Sequence, residues 1–378
     1  MNKMDKPRIL QVGKYYYPYF GGIEKVNFLL TEGLNKKEIK CDVLCSNNIN
    51  KYEENQKNGY WIYRIARWAE FAATPIIPGI IPKLYSLLKS NKYNIIHLHH
   101  PDPFATLAIL ICQPKARLVV QWHMDIIKQK KLYFFFKYFE RLLLKRADCI
   151  LVTSPNYLGS SIPLNRFKSK CKVIPLGIPD RSLQFLGISE SKLYPNKKVV
   201  FSLGRFTDYK GFEFLIKAAS QLPEDHVVIL AGTGPLKYRY DRIVQETQPG
   251  GRFVFAGKVS EEELSNLYQR CDVFCLPSIS KNEAFGLVML EAMTYSKPIV
   301  STNIIGSGTS WVNLDGVSGI NVPPANPEAL AVAIQKLTSD PSLANRLGKG
   351  GRSRYLEQFT DELMVQRTLA VYQELSNS

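Results

Sequence analysis

Glu283-Ala-Phe-Gly-Leu-Val-Met-Leu-Glu291 sets two carboxylates eight residues apart, around a Phe-Gly turn that leads into an apolar run. Gly286 permits a tight turn and lets a ligand approach the backbone. Leu287 to Met293 continues as a helix, so its unpaired first N–H groups and the positive end of its dipole lie beside Glu283. Such an end holds phosphate. A carboxylate next to it accepts hydrogen bonds from neighbouring sugar hydroxyls. Were the segment helical throughout, the two carboxylates would stand roughly 12 Å apart along the axis, at about 1.5 Å per residue. That exceeds the roughly 5–9.5 Å of a glycosidase acid/base pair. The glutamates therefore read as two binding groups at opposite ends of one ligand, with an ordinary surface-to-core helix as the alternative.

The stretch decides the fold because it is one strand–loop–helix step in a series. The apolar strand Asp272 to Leu276 runs into it. Upstream lie the strand Val199 to Leu203, the loop Gly204-Arg-Phe-Thr-Asp-Tyr-Lys-Gly211 and the helix Phe212 to Gln221. Val227 to Ala231 ends in Gly232-Thr-Gly-Pro235, and Phe253 to Ala256 precedes the helix Glu261 to Arg270. Pro298 to Thr302, Gly319 to Val322, the helix Glu328 to Thr338 and a terminal helix Phe359 to Leu375 follow. The first half alternates in the same way: a strand Arg8 to Gly13, a helix Ile23 to Asn35, then strands Cys41 to Ser46, Asn94 to Leu98, Arg117 to Trp122 and Cys149 to Thr153. Apolar strands alternating with helices mean α/β with a mainly parallel sheet. Ligands of such sheets bind at the carboxyl ends of the strands.

Pro175-Leu-Gly-Ile-Pro179 breaks the chain between the two series and reads as a hinge. This gives a first domain over 1–178, a second over 179–356 and a terminal helix over 357–378. The charge divides at the same place. Residues 1–178 hold 28 Lys and Arg against 12 Asp and Glu, whereas 179–378 hold 21 of each. The net charge of +16 thus belongs to the first half and implies an anionic partner there. A neutral second half argues against nucleic acid binding along the whole chain. Nothing approaches the length of a membrane-spanning helix, and Met1 to Gln11 lacks a signal-peptide core. The expected compartment is the cytosol. The seven cysteines fit that reading. Pairs such as Cys41 and Cys45, four apart on a strand, are separated by about 13 Å and neither bridge nor chelate.

Three further stretches invite chemistry. Lys14-Tyr-Tyr-Tyr-Pro-Tyr-Phe-Gly21-Gly22 joins the first strand to the first helix without the G-x-G-x-x-G spacing of a dinucleotide site. Its glycines suit either a ligand's close approach or a plain turn. His123 follows a strand end and is read as a polar group facing a cleft. His97 and His99 share one strand face, a spacing that can chelate metal with His123 as the third ligand. Lys128 to Arg146 holds seven basic residues, one acid and many aromatics. It is either an interfacial helix on an anionic membrane or a core helix with a basic outer face. The proline-broken Phe71 to Leu88 either extends that surface or belongs to an acceptor groove.

Arg205 and Lys210, flanked by Gly204 and Gly211, supply a planar and a mobile cation for a diphosphate. A Gly-Arg…Lys-Gly loop, a Gly-Thr-Gly-Pro strand end and Glu-x-Phe-Gly-x₄-Glu then follow in order in one α/β domain. On these motifs the chain resembles the retaining glycosyltransferases of family 4, most strongly from Lys198 to Pro324. The resemblance implies the GT-B fold, two facing Rossmann-like domains with a cleft between them and a terminal helix crossing back. It implies that Glu283 binds donor-sugar hydroxyls and Glu291 the ribose. Arg205, Lys210 and the backbone of Leu287 and Val288 would hold the diphosphate, with Gly204, Phe285 and Gly286 among the donor-binding residues. Lys258-Val259 would contact the base. His123 and Gly21-Gly22 would close the sugar site. Leu176, Tyr295-Ser296 and Gly306-Ser-Gly308 depart from the family pattern around the donor.

The expected activity is transfer of a hexosyl group from a UDP- or GDP-sugar, with GDP-mannose among the donors. The acceptor would be a lipid-linked or cell-envelope glycan on the inner-membrane surface. Retention without a metal or cofactor is implied, and no Asp-x-Asp motif occurs. An epimerase on the same architecture and a non-catalytic basic membrane- or nucleic-acid-binding protein are the alternatives.

Overall fold

The computed structural model describes residues 6–377 apart from Phe20, Ala73, Asn91, Lys128, Gln129 and 184–193. Phe20 of the first loop, Ala73 of the proline-broken segment, and the first two residues of the predicted basic helix therefore lie outside the described residues. The chain forms two compact units: residues 1–177 with 361–378, and residues 178–360.

In the first unit the chain order is β1 (Ile9–Gly13), α1 (Gly22–Lys36), β2 (Cys41–Ser46), β3 (Glu53–Lys57), β4 (Tyr60–Ile65), β5 (Ala69–Phe71) and β6 (Thr74–Ile76). Then come α2 (Ile80–Lys89), β7 (Ile95–His100), α3 (Pro103–Cys112), β8 (Arg117–Trp122), α4 (Lys130–Arg146), β9 (Cys149–Val152), α5 (Pro155–Ser160) and β10 (Cys171–Val173). The main sheet runs β10-β9-β8-β7-β1-β2-β4-β3. Every pairing in it is parallel except β3–β4. That hairpin turns at Asn58-Gly59, both at positive φ (48° and 87°). Asn-Gly is the strongest short hairpin signal. The polar β3 beside it hides the strand from an apolar scan. β1, β2, β7 and β9 are buried along their whole lengths, as strands covered on both faces must be.

The second unit orders β11 (Lys198–Leu203), α6 (Phe212–Ala219), β12 (His226–Ala231), α7 (Lys237–Thr247), β13 (Phe253–Gly257), α8 (Glu261–Arg270) and β14 (Val273–Leu276). It continues through α9 (Leu287–Thr294), β15 (Ile299–Thr302), α10 (Thr309–Val312), β16 (Gly319–Val322), α11 (Pro327–Ser339) and α12 (Pro341–Gln358). Its six-stranded sheet is wholly parallel in the order β13-β12-β11-β14-β15-β16. Polar residues bound two of these elements: Asn326 and Asp340 cap α11 and α12 by accepting from Ala329 N and Leu343 N, both at 2.9 Å. A core of Phe206, Phe212, Ile216, Leu230, Tyr240, Ile334 and their neighbours fills the space under α6, α7 and α11.

Helix α12 has no counterpart in the apolar pattern, because Gly348, Gly350 and Gly351 interrupt it. Those glycines are there for packing. A Cβ on Gly348 would lie 2.0 Å from the Ser296 carbonyl oxygen, and one on Gly350 would lie 2.0 Å from that of Val317. The second unit closes where Ile178 N donates to Phe359 O at 3.0 Å and Ile178 bridges Thr360. Helix α13 (Asp361–Asn377) then packs on α1 in the first unit.

Candidate active site

Each parallel sheet has one point where its strand order reverses, and ligands of such sheets bind outside the carboxyl ends there. In the second unit that point lies between β11 and β14. The loops leaving those two strands are the Gly204–Gly211 loop and the segment leading to Gly286. The motifs singled out in the sequence therefore belong to one corner of one sheet.

At this corner Lys210 Nζ lies 2.6 Å from Glu283 Oε2, with about a tenth of each side chain exposed. Ser278 Oγ donates to the same carboxylate oxygen at 2.9 Å. Burial alone would depress the Lys210 ammonium; the charge of Glu283, then Tyr209, and the hydrogen bond to Glu283 outweigh it and hold it above its ordinary value. Lys210 is thus a fixed cation. Gly204 leaves room for it, since a Cβ there would meet Lys210 Cε at 3.2 Å. Glu283 stands on the loop and not on the helix, since α9 begins at Leu287. Axial counting therefore applies only from Leu287 to Glu291, and the roughly 12 Å premise of a continuous helix does not hold.

Gly286 adopts φ +83° at the N-terminal end of α9, and no side chain caps that end. The backbone N–H groups of Leu287 and Val288 open the helix, so its positive end is available to an anion beside Lys210 and Glu283. Arg205 is exposed and, among the described residues, makes no ion pair. Gly232 and Gly234 let the neighbouring strand end close onto the same loop, because a Cβ on Gly232 would fall 2.0 Å from the Gly204 carbonyl oxygen. Phe206 N donates to Thr233 O at 2.9 Å, and Gly232 N to Gly257 O at 2.7 Å. The latter bond brings the β13 loop, with exposed Lys258 and half-buried Val259, alongside. The Phe285 ring is buried against Trp311 and Phe359, so only its backbone is left for a ligand.

Glu291 is buried one turn into α9, with Arg181 Nη1 3.6 Å from its Oε1. Arg181, itself buried, also pairs with Glu261. Burial would lower the Arg181 guanidinium, but Glu291 and Glu261 reverse the direction and raise it. Sequence reading missed Arg181. Its one signal was a cation placed directly after the proline hinge, 110 residues before its partner.

The first unit reverses strand order between β7 and β1. Gly21 is the N-cap of α1, directly after the β1 loop, and Gly21 and Gly22 are both exposed. His123 follows β8 and is buried at 4% exposure. Its Nε2 lies 2.9 Å from His99 Nδ1, and His99 Nε2 lies 3.0 Å from Gln11 Oε1. His97 stacks on His99 at 4.9 Å and contacts the Tyr372 hydroxyl. The three imidazoles read as a chelating set are thus engaged by each other, by Gln11 and by Tyr372. Among the described residues no group of three His, Cys, Asp or Glu side chains could hold a metal ion.

Burial pushes His97 and His123 down to about 3 and His99 well below the usual imidazole value. A histidine whose folded value is depressed contributes stability above its unfolded value near 6.5 and loses it as pH falls toward the folded value. Each ring should cost about 1.4 kcal/mol per pH unit once the unfolded chain is protonated below about pH 6. The expected result is a steep loss of urea resistance between pH 7 and pH 5. His97→Asn should flatten it by about a third, and an unchanged slope in that variant would refute the assignment.

Sequence comparison agrees with this architecture. Residues 188–354 match the model for glycosyl transferases group 1, and residues 20–181 that for glycosyltransferase family 4. The O-antigen chain mannosyltransferase C of Escherichia coli is 33% identical over 98% of this chain and 99% of its own length. The D-rhamnosyltransferase WbpZ of Pseudomonas aeruginosa is 30% identical over 93% and 92%. Among solved structures, a sucrose-phosphate synthase from Thermosynechococcus elongatus superposes with a TM-score of 0.77 at 24% identity, covering 97% of this chain and 99% of that one. With two Rossmann-like units, a lysine–glutamate pair at a strand-order reversal and relatives matched end to end, the chain belongs to the family 4 glycosyltransferases and has the GT-B fold.

Proposed function

We propose that the protein is a retaining, metal-independent hexosyltransferase that moves a sugar from a UDP- or GDP-sugar to a lipid-linked or cell-envelope glycan. The observation that carries this reading is the buried Lys210–Glu283 pair beside the uncapped start of α9. A nucleotide sugar offers hydroxyls to a carboxylate and a diphosphate to a cation and a helix end, and the pair presents both partners side by side. Glu283 binds sugar hydroxyls. Lys210, Arg205 and the Leu287 and Val288 N–H groups hold the diphosphate. Glu291 lies further along the same helix on the ribose side, and Lys258-Val259 on the base side. His123 and Gly21-Gly22 are the candidate sugar-contacting groups of the first unit.

In transfer, the acceptor hydroxyl oxygen bonds to the anomeric carbon as the bond from that carbon to the β-phosphate oxygen breaks. The hydroxyl proton passes to a β-phosphate oxygen on the same sugar face. Fixed positive charge stabilises the departing diphosphate. The two relatives, a mannosyl- and a rhamnosyltransferase, favour a GDP-linked hexose as donor.

Helix α4 supports a membrane-bound acceptor and a position on the cytoplasmic membrane face. Phe134, Phe135 and Tyr138 are exposed, Phe135 by 73%. With Lys131, Arg141 and Lys145 they share one stripe at helical spacing. Its one carboxylate, Glu140, faces inward, with the Tyr133 hydroxyl donating to it at 2.7 Å. Aromatic rings among cations match an anionic lipid surface. No helix of the described residues is long and apolar enough to cross a membrane.

A panel of UDP- and GDP-sugars tests the donor by thermal stabilisation, which amounts to about 2.7 kcal/mol at a hundredfold excess over Kd. Transfer to extracted glycolipid should then proceed in EDTA and keep the anomeric configuration. An inverted product or loss in EDTA would overturn those two features. Release of an altered free sugar without acceptor would establish an epimerase instead.

A further inference from the structure

A continuous line of hydrogen bonds runs past His123, leaving His97 Nε2 at its far end without a partner, and its direction determines which nitrogen of His123 carries its proton. Gln11 Nε2 lies 3.4 Å from the Tyr372 hydroxyl, which also contacts His97 Nδ1, while Gln11 Oε1 lies 3.0 Å from His99 Nε2. A carbonyl oxygen only accepts, so His99 Nε2 must be the protonated nitrogen. All three rings are buried and held neutral, and a neutral imidazole has one N–H. His99 Nδ1 is therefore an acceptor. The nitrogen 2.9 Å away, His123 Nε2, must then be the donor. The line runs from His123 Nε2–H to His99 Nδ1, from His99 Nε2–H to Gln11 Oε1, from the Gln11 amide N–H to Tyr372 and from the Tyr372 O–H to His97 Nδ1.

We propose that Gln11, held by Tyr372 of the terminal helix, is a positioning residue that acts through His99 to keep His123 as the Nε2–H tautomer with Nδ1 as a bare acceptor. Turning the Gln11 amide over would reverse both tautomers and make His123 Nδ1 a donor. A ring that only accepts takes a hydrogen bond from a hydroxyl and disfavours a phosphate or carbonyl oxygen. This inference rests on the reading that His123 faces the donor sugar: it specifies that the ring recognises a sugar hydroxyl and not the diphosphate. It also gives a role to two residues that no motif picks out. Gln11 lies inside an otherwise apolar strand, and Tyr372 is completely buried 361 residues away.

The test is histidine-selective ¹⁵N NMR on the full chain, in which Nδ1 and Nε2 protonation give distinct ring patterns. His123 is assigned from the signal lost in His123→Asn. Wild-type protein should show both His99 and His123 as Nε2–H tautomers at pH 7.5. A His123 signal with the proton on Nδ1 would overturn the proposal without any variant being made. Gln11→Met keeps the length and removes the amide; both rings should become tautomer mixtures, and kcat/KM should fall roughly five- to tenfold, the worth of one hydrogen bond. Gln11→Glu keeps the accepting oxygen and should preserve the His123 tautomer. Unchanged tautomers in Gln11→Met would refute the positioning role. Full transfer by His123→Asn would remove the donor-facing reading while leaving the tautomer result standing.

Discussion

Lys210→Met is expected to slow sugar transfer roughly 10²- to 10³-fold and, at the same time, to destabilise the fold by about 3–5 kcal/mol. The two effects have different causes. The rate falls because a cation aimed at the developing charge of the leaving diphosphate is gone. The stability falls because Glu283, with about a tenth of its side chain exposed, is left as a buried carboxylate whose remaining donor is Ser278. Glu283→Gln should show the mirror image, with an uncompensated buried ammonium. The double variant Lys210→Met/Glu283→Gln separates the causes, since it buries no unpaired charge. It should recover most of the lost stability in urea unfolding and none of the lost transfer. Recovery of transfer in the double variant would mean that the pair serves the fold alone. Wild-type rates in Lys210→Met would remove Lys210 from the donor site.

The second large effect concerns α4. Replacing Phe134, Phe135 and Tyr138 together by serine should reduce binding to vesicles of phosphatidylglycerol and phosphatidylcholine by at least about 100-fold, at roughly 1–2 kcal/mol for each ring removed from the interface. Because these rings are exposed, the melting temperature should stay where it is. Binding should also weaken with salt, as the basic residues act on anionic headgroups through a screened potential. Two results would sink the membrane reading: equal binding of the wild-type chain to vesicles of phosphatidylcholine alone, or a collapse of stability in the triple variant. The second outcome would show that the rings belong to a core.

Much of the fold was legible because its strands are buried on both faces. Residues such as Ile95, Ile96, Val119 and Val120 have no polar alternation to confuse with a helix, and glycine- or proline-bearing loops separate them from the next helix. What escaped was local structure whose apolar pattern is weak. β3 is a polar edge strand set by an Asn-Gly turn. Helix α12 looks broken because its glycines are spent on close approach to the Ser296 and Val317 carbonyls, a contact with partners far along the chain.

The candidate site divides in the same way. Residue type and spacing marked the Arg205–Lys210 loop and the Gly286–Val288 helix start as two candidate anion-binding segments, since each is local in sequence and helix ends bind anions wherever they occur. Pairings across the sheet were decided only by tertiary structure. Lys210 and Glu283 are 73 residues apart, and nothing in either motif states that they touch. Arg181 reaches Glu291, and Gln11 reaches both His99 and Tyr372, through strand order and helix packing. A charge or an amide has no sequence signature for the partner that will desolvate it. That partner is chosen when distant segments are buried together.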